Sequence, residues 1–146
     1  MTRQQKYPDT NTFHFYNANP KGRITTDCVI RALCTATELP YNQVVMELAE
    51  LQCKTGYDDG EKKLYGMYLE SKGFKKMKQP RKLDGTKFTG KAFCEALQDK
   101  YEYIIGKTPR IVANIGGNHI VAIIDAQVWD IWNSTRGCIG NYWIKE

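Results

Sequence analysis

One ten-residue stretch constrains this chain more than any other. Cys28 to Thr37 reads CVIRALCTAT, and Arg31 is its only charge. A helix with that text is apolar nearly all round, so it must be enclosed by the rest of the chain rather than laid on a surface. Thr26 or Asp27 serves as its N-cap, and Pro40 follows its end. With 146 residues, 42% of them apolar, the chain has material for one domain around such a helix and not for two. Residues 1–146 are therefore read as a single domain.

The flanking text supplies the enclosure. Residues 1–26 lack helical periodicity and read as an extended segment packed on the domain, with TFHFY as a short strand. A second helix fits Tyr41–Cys53, with Val44, Val45, Leu48 and Leu51 on one stripe, and the glycines and aspartates of 56–60 form a turn. A third fits Lys62–Ser71, stopped by Gly73, and Phe74–Pro80 is a strand or an extended loop. Thr89 caps a further helix, Gly90–Lys100, whose inner face carries Phe93, Cys94 and Leu97. Beyond Pro109 the text turns β-branched and aromatic in four runs: Arg110–Ile115, Asn118–Ile124, Val128–Asn133 and Ile139–Lys145. These predict an antiparallel meander. Helices first and sheet last is an α+β order.

Composition excludes several function classes. No run approaches the roughly 20 apolar residues of a membrane span, and the amino end has no apolar stretch after its basic residues, so a cytoplasmic protein is expected. The five cysteines are odd in number and lack a disulfide framework. No CxxC pair occurs, and with only two histidines, His14 and His119, neither a metal nor another cofactor is assigned. The net charge of +5 is concentrated in residues 72–110, which hold eleven basic and four acidic side chains. Within them Lys75, Lys76, Lys78, Arg81 and Lys82 read either as a solvated face or as a weak patch for nucleic acid or an acidic protein. GTKFTGK, residues 85–91, has the GxxxxGK spacing of a phosphate loop but lacks both the Ser/Thr and the preceding apolar strand. Asn133-Ser134-Thr135 is a formal glycosylation sequon without an export signal.

Two residues carry the chemistry. Cys28 opens the buried helix directly after Asp27. There the helix dipole and unpaired N–H groups favour a thiolate, and the same N–H groups suit an oxyanion. His119 begins an apolar strand behind two glycines, in GGNHIVAII. A helix-start thiol and a strand-start imidazole are complementary halves of a Cys-His pair. The hairpin after His119 supplies the group that orients the ring. If residues 125–127 form a three-residue loop, Ile124 faces Val128 and His119 faces Asn133. A two-residue loop brings Asp130 onto the histidine's face instead. Asn133 is the preferred candidate and Asp130 the alternative.

TDCVIRALCTAT followed by GGNHIVAIIDAQVWDIWNST resembles the papain-like cysteine peptidases. In that fold a helix-start Cys packs against a strand-start His oriented by Asn or Asp. DC before an apolar helix with a late GxH resembles the bacterial C39-type branch. DCVIRAL is similar to the Cys motif of ovarian-tumour deubiquitinases, and DC alone to that of the NlpC/P60 cell-wall hydrolases. NANPKGRITTDCVIRAL resembles small proteins encoded by phages and prophages. The resemblance implies a papain-like fold and a thiol-dependent hydrolase acting on a protein or peptide substrate, with Cys28, His119 and Asn133 or Asp130 as its catalytic residues. The C39 and papain branches place a Gln before the nucleophile as an oxyanion donor, and KGRITT has none. Asn17, Asn19 or a backbone N–H is left to serve; Asn19 is the side-chain candidate, although its text favours an ordinary Asn-Pro turn. The alternatives are a catalytically weak or inactive scaffold that binds a host protein or nucleic acid, and a peptidoglycan amidase.

Overall fold

A computed structural model describes residues 1–102 and 108–146. In chain order the elements are α1 (Arg3–Lys6), β1 (Phe13–Phe15), α2 (Cys28–Thr37), α3 (Tyr41–Thr55), α4 (Lys62–Ser71), β2 (Lys75–Met77), α5 (Gly90–Lys100), β3 (Arg110–Ile115), β4 (His119–Ile124), β5 (Gln127–Asp130) and β6 (Ile139–Lys145). The class is α+β, as the order of helical and strand patterns predicts. Thr89 caps α5 as expected, accepting from the Ala92 N–H. Asp27 occupies the cap position of α2, but its carboxylate makes no capping bond and is taken up by Arg31, Tyr41 and Asn19 instead.

The six strands form one mixed sheet in the order β1-β5-β4-β3-β6-β2. This corrects the expected meander. β3, β4 and β5 follow one another as hairpins, but β6 crosses to the far side of β3. Its place beside β5 is taken by β1, which runs parallel there with Phe13 opposite Val128. The crossing also seats Trp143 opposite Val112, beneath Tyr65 and Gly66 of α4. Burying that indole is worth about 2–3 kcal/mol, which gives β6 a reason to leave the meander.

Strand alternation sorts the apolar side chains into two cores. Val112, Ala122, Ile124 and Trp143 pack against α2, α3 and α4 on one face. Ile111, Val121, Ile123 and Ile139 pack against Phe93 and Cys94 of α5 on the other. No residue of α2 is exposed, and Leu33 is wholly buried. The all-round apolar text of CVIRALCTAT is thereby accounted for. Its one charge, Arg31, is only 6% exposed and so must be answered by buried carboxylates.

Candidate active site

Cys28 is the first residue of α2, and His119 is the first residue of β4. The turn before His119 needs its glycines: Gly116 and Gly117 have φ of +64° and +92°, values that disfavour a residue with a Cβ. The turn then delivers His119 opposite Ile115 at the end of the sheet, against the start of α2. There the imidazole lies close enough to the Cys28 thiol for each to favour the other's charged form.

The orienting group is decided by hairpin register. Ile124 pairs with Gln127, leaving a two-residue turn of Asp125 and Ala126, whose φ values are +51° and +58°. The preferred three-residue loop is therefore corrected, and with it the role expected of Asn133. Its Oδ1 accepts from the Thr135 N–H at 3.0 Å and the Thr135 hydroxyl at 2.6 Å, an Asx turn after the strand. Asp130 stands diagonal to His119, and its Oδ2 lies 2.5 Å from His119 Nε2. That bond uses one ring nitrogen and leaves Nδ1 for Cys28. Trp132 lies over the ring, with centroids 5.0 Å apart.

Asp130 is 2% exposed and fully engaged. Its Oδ1 accepts from the Ile131 N–H at 2.7 Å and from Arg31 Nη1. Arg31 also donates from Nε to Asp27 Oδ1 at 2.8 Å, so one buried guanidinium spans two carboxylates. Asp27 Oδ2 accepts in turn from the Tyr41 hydroxyl at 2.6 Å and from Asn19 Nδ2 at 3.1 Å. Arg31 thereby stands behind the His119–Asp130 pair, a place no motif in the sequence marks. A lone charge in an otherwise apolar helix was the available signal.

The placement of Asn19 corrects its expected oxyanion role. Its Nδ2 donates to Asp27 and its Oδ1 accepts from the Lys21 N–H, so the amide braces the N-terminal segment against the start of α2. Asn17 is spent within the same segment, on the Asn19 N–H and the Arg23 carbonyl.

The electrostatics follow from these contacts. The hydrogen bond from His119 lowers the Cys28 thiol against the opposing effect of burial, helped by the imidazolium charge, the Ile120 N–H and Arg31. Burial works against a charged His119, but Asp130 and Cys28 outweigh it and raise the imidazole to about 9. Thiolate and imidazolium thus favour each other. Cys34 and Cys94 behave oppositely, burial pushing both thiols up, Cys94 to about 12. At Asp27, burial is outweighed by hydrogen bonds from Tyr41, Arg31 and Asn19, and the carboxyl falls to about 2.

The basic residues do not join this site. Lys75 and Lys76 lie on β2 at the opposite edge of the sheet, and Lys78, Arg81 and Lys82 are exposed on and beside the loop that follows. Arg81 is occupied locally by Gly85 O and Gln79 Oε1. His14 pairs with Asp9 at 2.8 Å and stacks near Trp129. Among the described residues, no three His, Cys, Asp or Glu side chains converge as metal donors, and no helix is long and apolar enough to cross a membrane. No protein-family model matches this chain, and no curated protein and no solved structure is significantly similar to it.

Proposed function

We propose that this protein is a thiol-dependent acyl-transfer enzyme of papain-like architecture, hydrolysing a peptide or isopeptide bond in a protein substrate inside the cell. The observation that carries the reading is the juxtaposition of Cys28, at the start of α2, with His119, whose ring is bonded to Asp130 with Arg31 behind it. A packing cysteine needs no such neighbours.

Cys28 Sγ, as thiolate, attacks the substrate carbonyl carbon. N–H groups of the first turn of α2 lie beside the sulfur and have no helical acceptor, so they are suited to the oxyanion of the tetrahedral intermediate. His119 gives its proton to the leaving amine, and the C–N bond breaks to leave an acyl-thioester on Cys28. Neutral His119 then takes a proton from water as that water attacks the thioester, and the acid departs with the thiolate restored. Asp130 holds the Nε2 side of the ring throughout, which keeps Nδ1 toward the sulfur.

The test is the pH dependence of Cys28 alkylation, followed by intact mass with peptide mapping, in wild type and His119→Ala. The expected result is an apparent Cys28 pKa well below the free-thiol value of about 8.5, rising when His119 is removed. A Cys28 that is unreactive, or indifferent to His119, refutes the reading.

A further inference from the structure

Two adjoining clefts leave His119 in one direction. The first, about 360 Å³, has His119, Trp132, Asn118 and Ser134 on its walls. The second, about 420 Å³, has Thr10, Thr89, Thr135 and Lys91. They meet at Asn133 and Arg136, which border both. Lys91 and Arg136 are exposed, and neither forms an ion pair among the described residues.

Three features of this path point to an anionic occupant. Among the described residues, its walls include two free cations and the imidazole of His119, and no Asp or Glu. Clefts elsewhere differ: one beside α2 and β6 includes Glu38, Asp125 and Glu146, and one between α4 and β6 includes Glu70. Ser134, a residue 6% exposed on the wall of the first cleft, has its hydroxyl buried without a hydrogen-bond partner among the described residues. A buried hydroxyl left unpaired is costly, and an acceptor atom arriving in the cleft relieves that cost. The path also begins at the group that protonates the leaving amine, so it lies on the leaving-group side of the scissile bond.

We propose that this path binds the leaving-group side of the substrate and selects an acidic peptide segment there, with Arg136 and Lys91 as the specificity-determining cations. The inference rests on the acyl-transfer reading of Cys28 and His119. By microscopic reversibility, a site that binds the leaving amine also binds an acceptor amine that intercepts the acyl-enzyme. That property separates the two claims.

A p-nitrophenyl ester acylates Cys28: the Sγ–carbon bond forms, the carbon–oxygen bond breaks, and the phenolate leaves with the proton of His119. An acceptor amine then attacks the thioester carbon and the carbon–sulfur bond breaks. His119 takes the amine proton, and the products are an amide and the free thiolate. Gly-Glu-Glu-amide, Gly-Gln-Gln-amide and Gly-Lys-Lys-amide share one nucleophilic terminus, and mass spectrometry reads the ratio of amide to hydrolysed acid for each. The expected result is a preference for the Glu acceptor over the Gln acceptor of about three- to tenfold, the size of one or two part-exposed ion pairs. That preference is lost or reversed in Arg136→Glu. Lys91→Glu reports the second cation, and carries the test if the first variant fails to fold. Equal partition of the Glu and Gln acceptors, or a preference untouched by both substitutions, overturns the proposal with the acyl-enzyme chemistry intact. If no ester-derived mass appears on Cys28, the acyl-transfer reading fails and this inference fails with it.

Discussion

Arg31 and the lysines of the β2 edge are cations of one chain used in opposite ways. Arg31 is 6% exposed and held between Asp27 and Asp130. Lys75 and Lys78 stand in solvent, and neither forms an ion pair among the described residues. A charge taken out of water costs several kcal/mol unless it is answered, so Arg31 holds its two carboxylates in one geometry. A solvated lysine demands nothing of its neighbours and orders nothing. On an edge strand it keeps other strands from pairing there, a use that requires no ligand. The difference teaches that the excess of positive charge in the middle of the chain is a poor guide to the site, whereas one buried charge leads directly to it.

The comparison breaks most visibly if the buried cation is removed. Arg31→Met leaves Asp27 and Asp130 buried without their shared partner and is expected to cost about 3–5 kcal/mol in urea unfolding. A loss under 1 kcal/mol would place Arg31 among the dispensable charges. Asp130→Asn keeps the shape and removes the charge that supports the imidazolium. Cys28 alkylation at pH 7 should slow by about tenfold or more, one pKa unit being a factor of ten. Asn133→Ala, which removes the hydrogen bonds of the Asx turn and none to His119, should leave that rate nearly unchanged. Similar effects for the two substitutions would contradict the two-residue hairpin.

pH sharpens the same contrast. The imidazole of His119 is raised from 6.5 to about 9 in the folded chain. Its contribution to stability is therefore fully present below pH 6.5 and is lost as pH rises through about 9. Asp27 is lowered from 3.8 to about 2, so its contribution is present above pH 3.8 and lost as pH falls toward 2. Urea midpoints across pH 5–10 in wild type and His119→Gln should show an alkaline decline in wild type that the variant lacks. The smallest effect belongs to the solvated edge. Lys75→Ala and Lys78→Ala should each move unfolding by no more than about 0.5 kcal/mol and leave Cys28 reactivity alone.

The elements of this protein were legible where local chemistry decides them. α4 and α5, with the Thr89 cap, and β3 and β6 fall at the boundaries that periodicity and turn residues predict. Cys28 at a helix start and His119 at a strand start were legible for the same reason. The orienting residue was not, because Asp125-Ala126 lacks the Asn-Gly or Asp-Gly text of a two-residue turn and holds an alanine at φ +58°. An alanine there costs about 1–2 kcal/mol. It is tolerated where Ala126 is buried and β1 pairs along β5 in the observed register. The bracing role of Asn19 was hidden too, since it depends on where Asp27 turns its carboxylate.

What the sequence determined by itself was a buried helix with a thiol at its positive end, an imidazole at the head of an apolar strand, and enough apolar surface to enclose one in the neighbourhood of the other. Those features follow from period, capping and burial, which act over a few residues. Tertiary structure decided which carboxylate holds the imidazole, that Arg31 stands behind it, and that β6 crosses to β3. Each is a competition between partners far apart in the chain. A shift of one residue in a hairpin exchanges one face of a strand for the other, and only the summed packing of both cores selects between them.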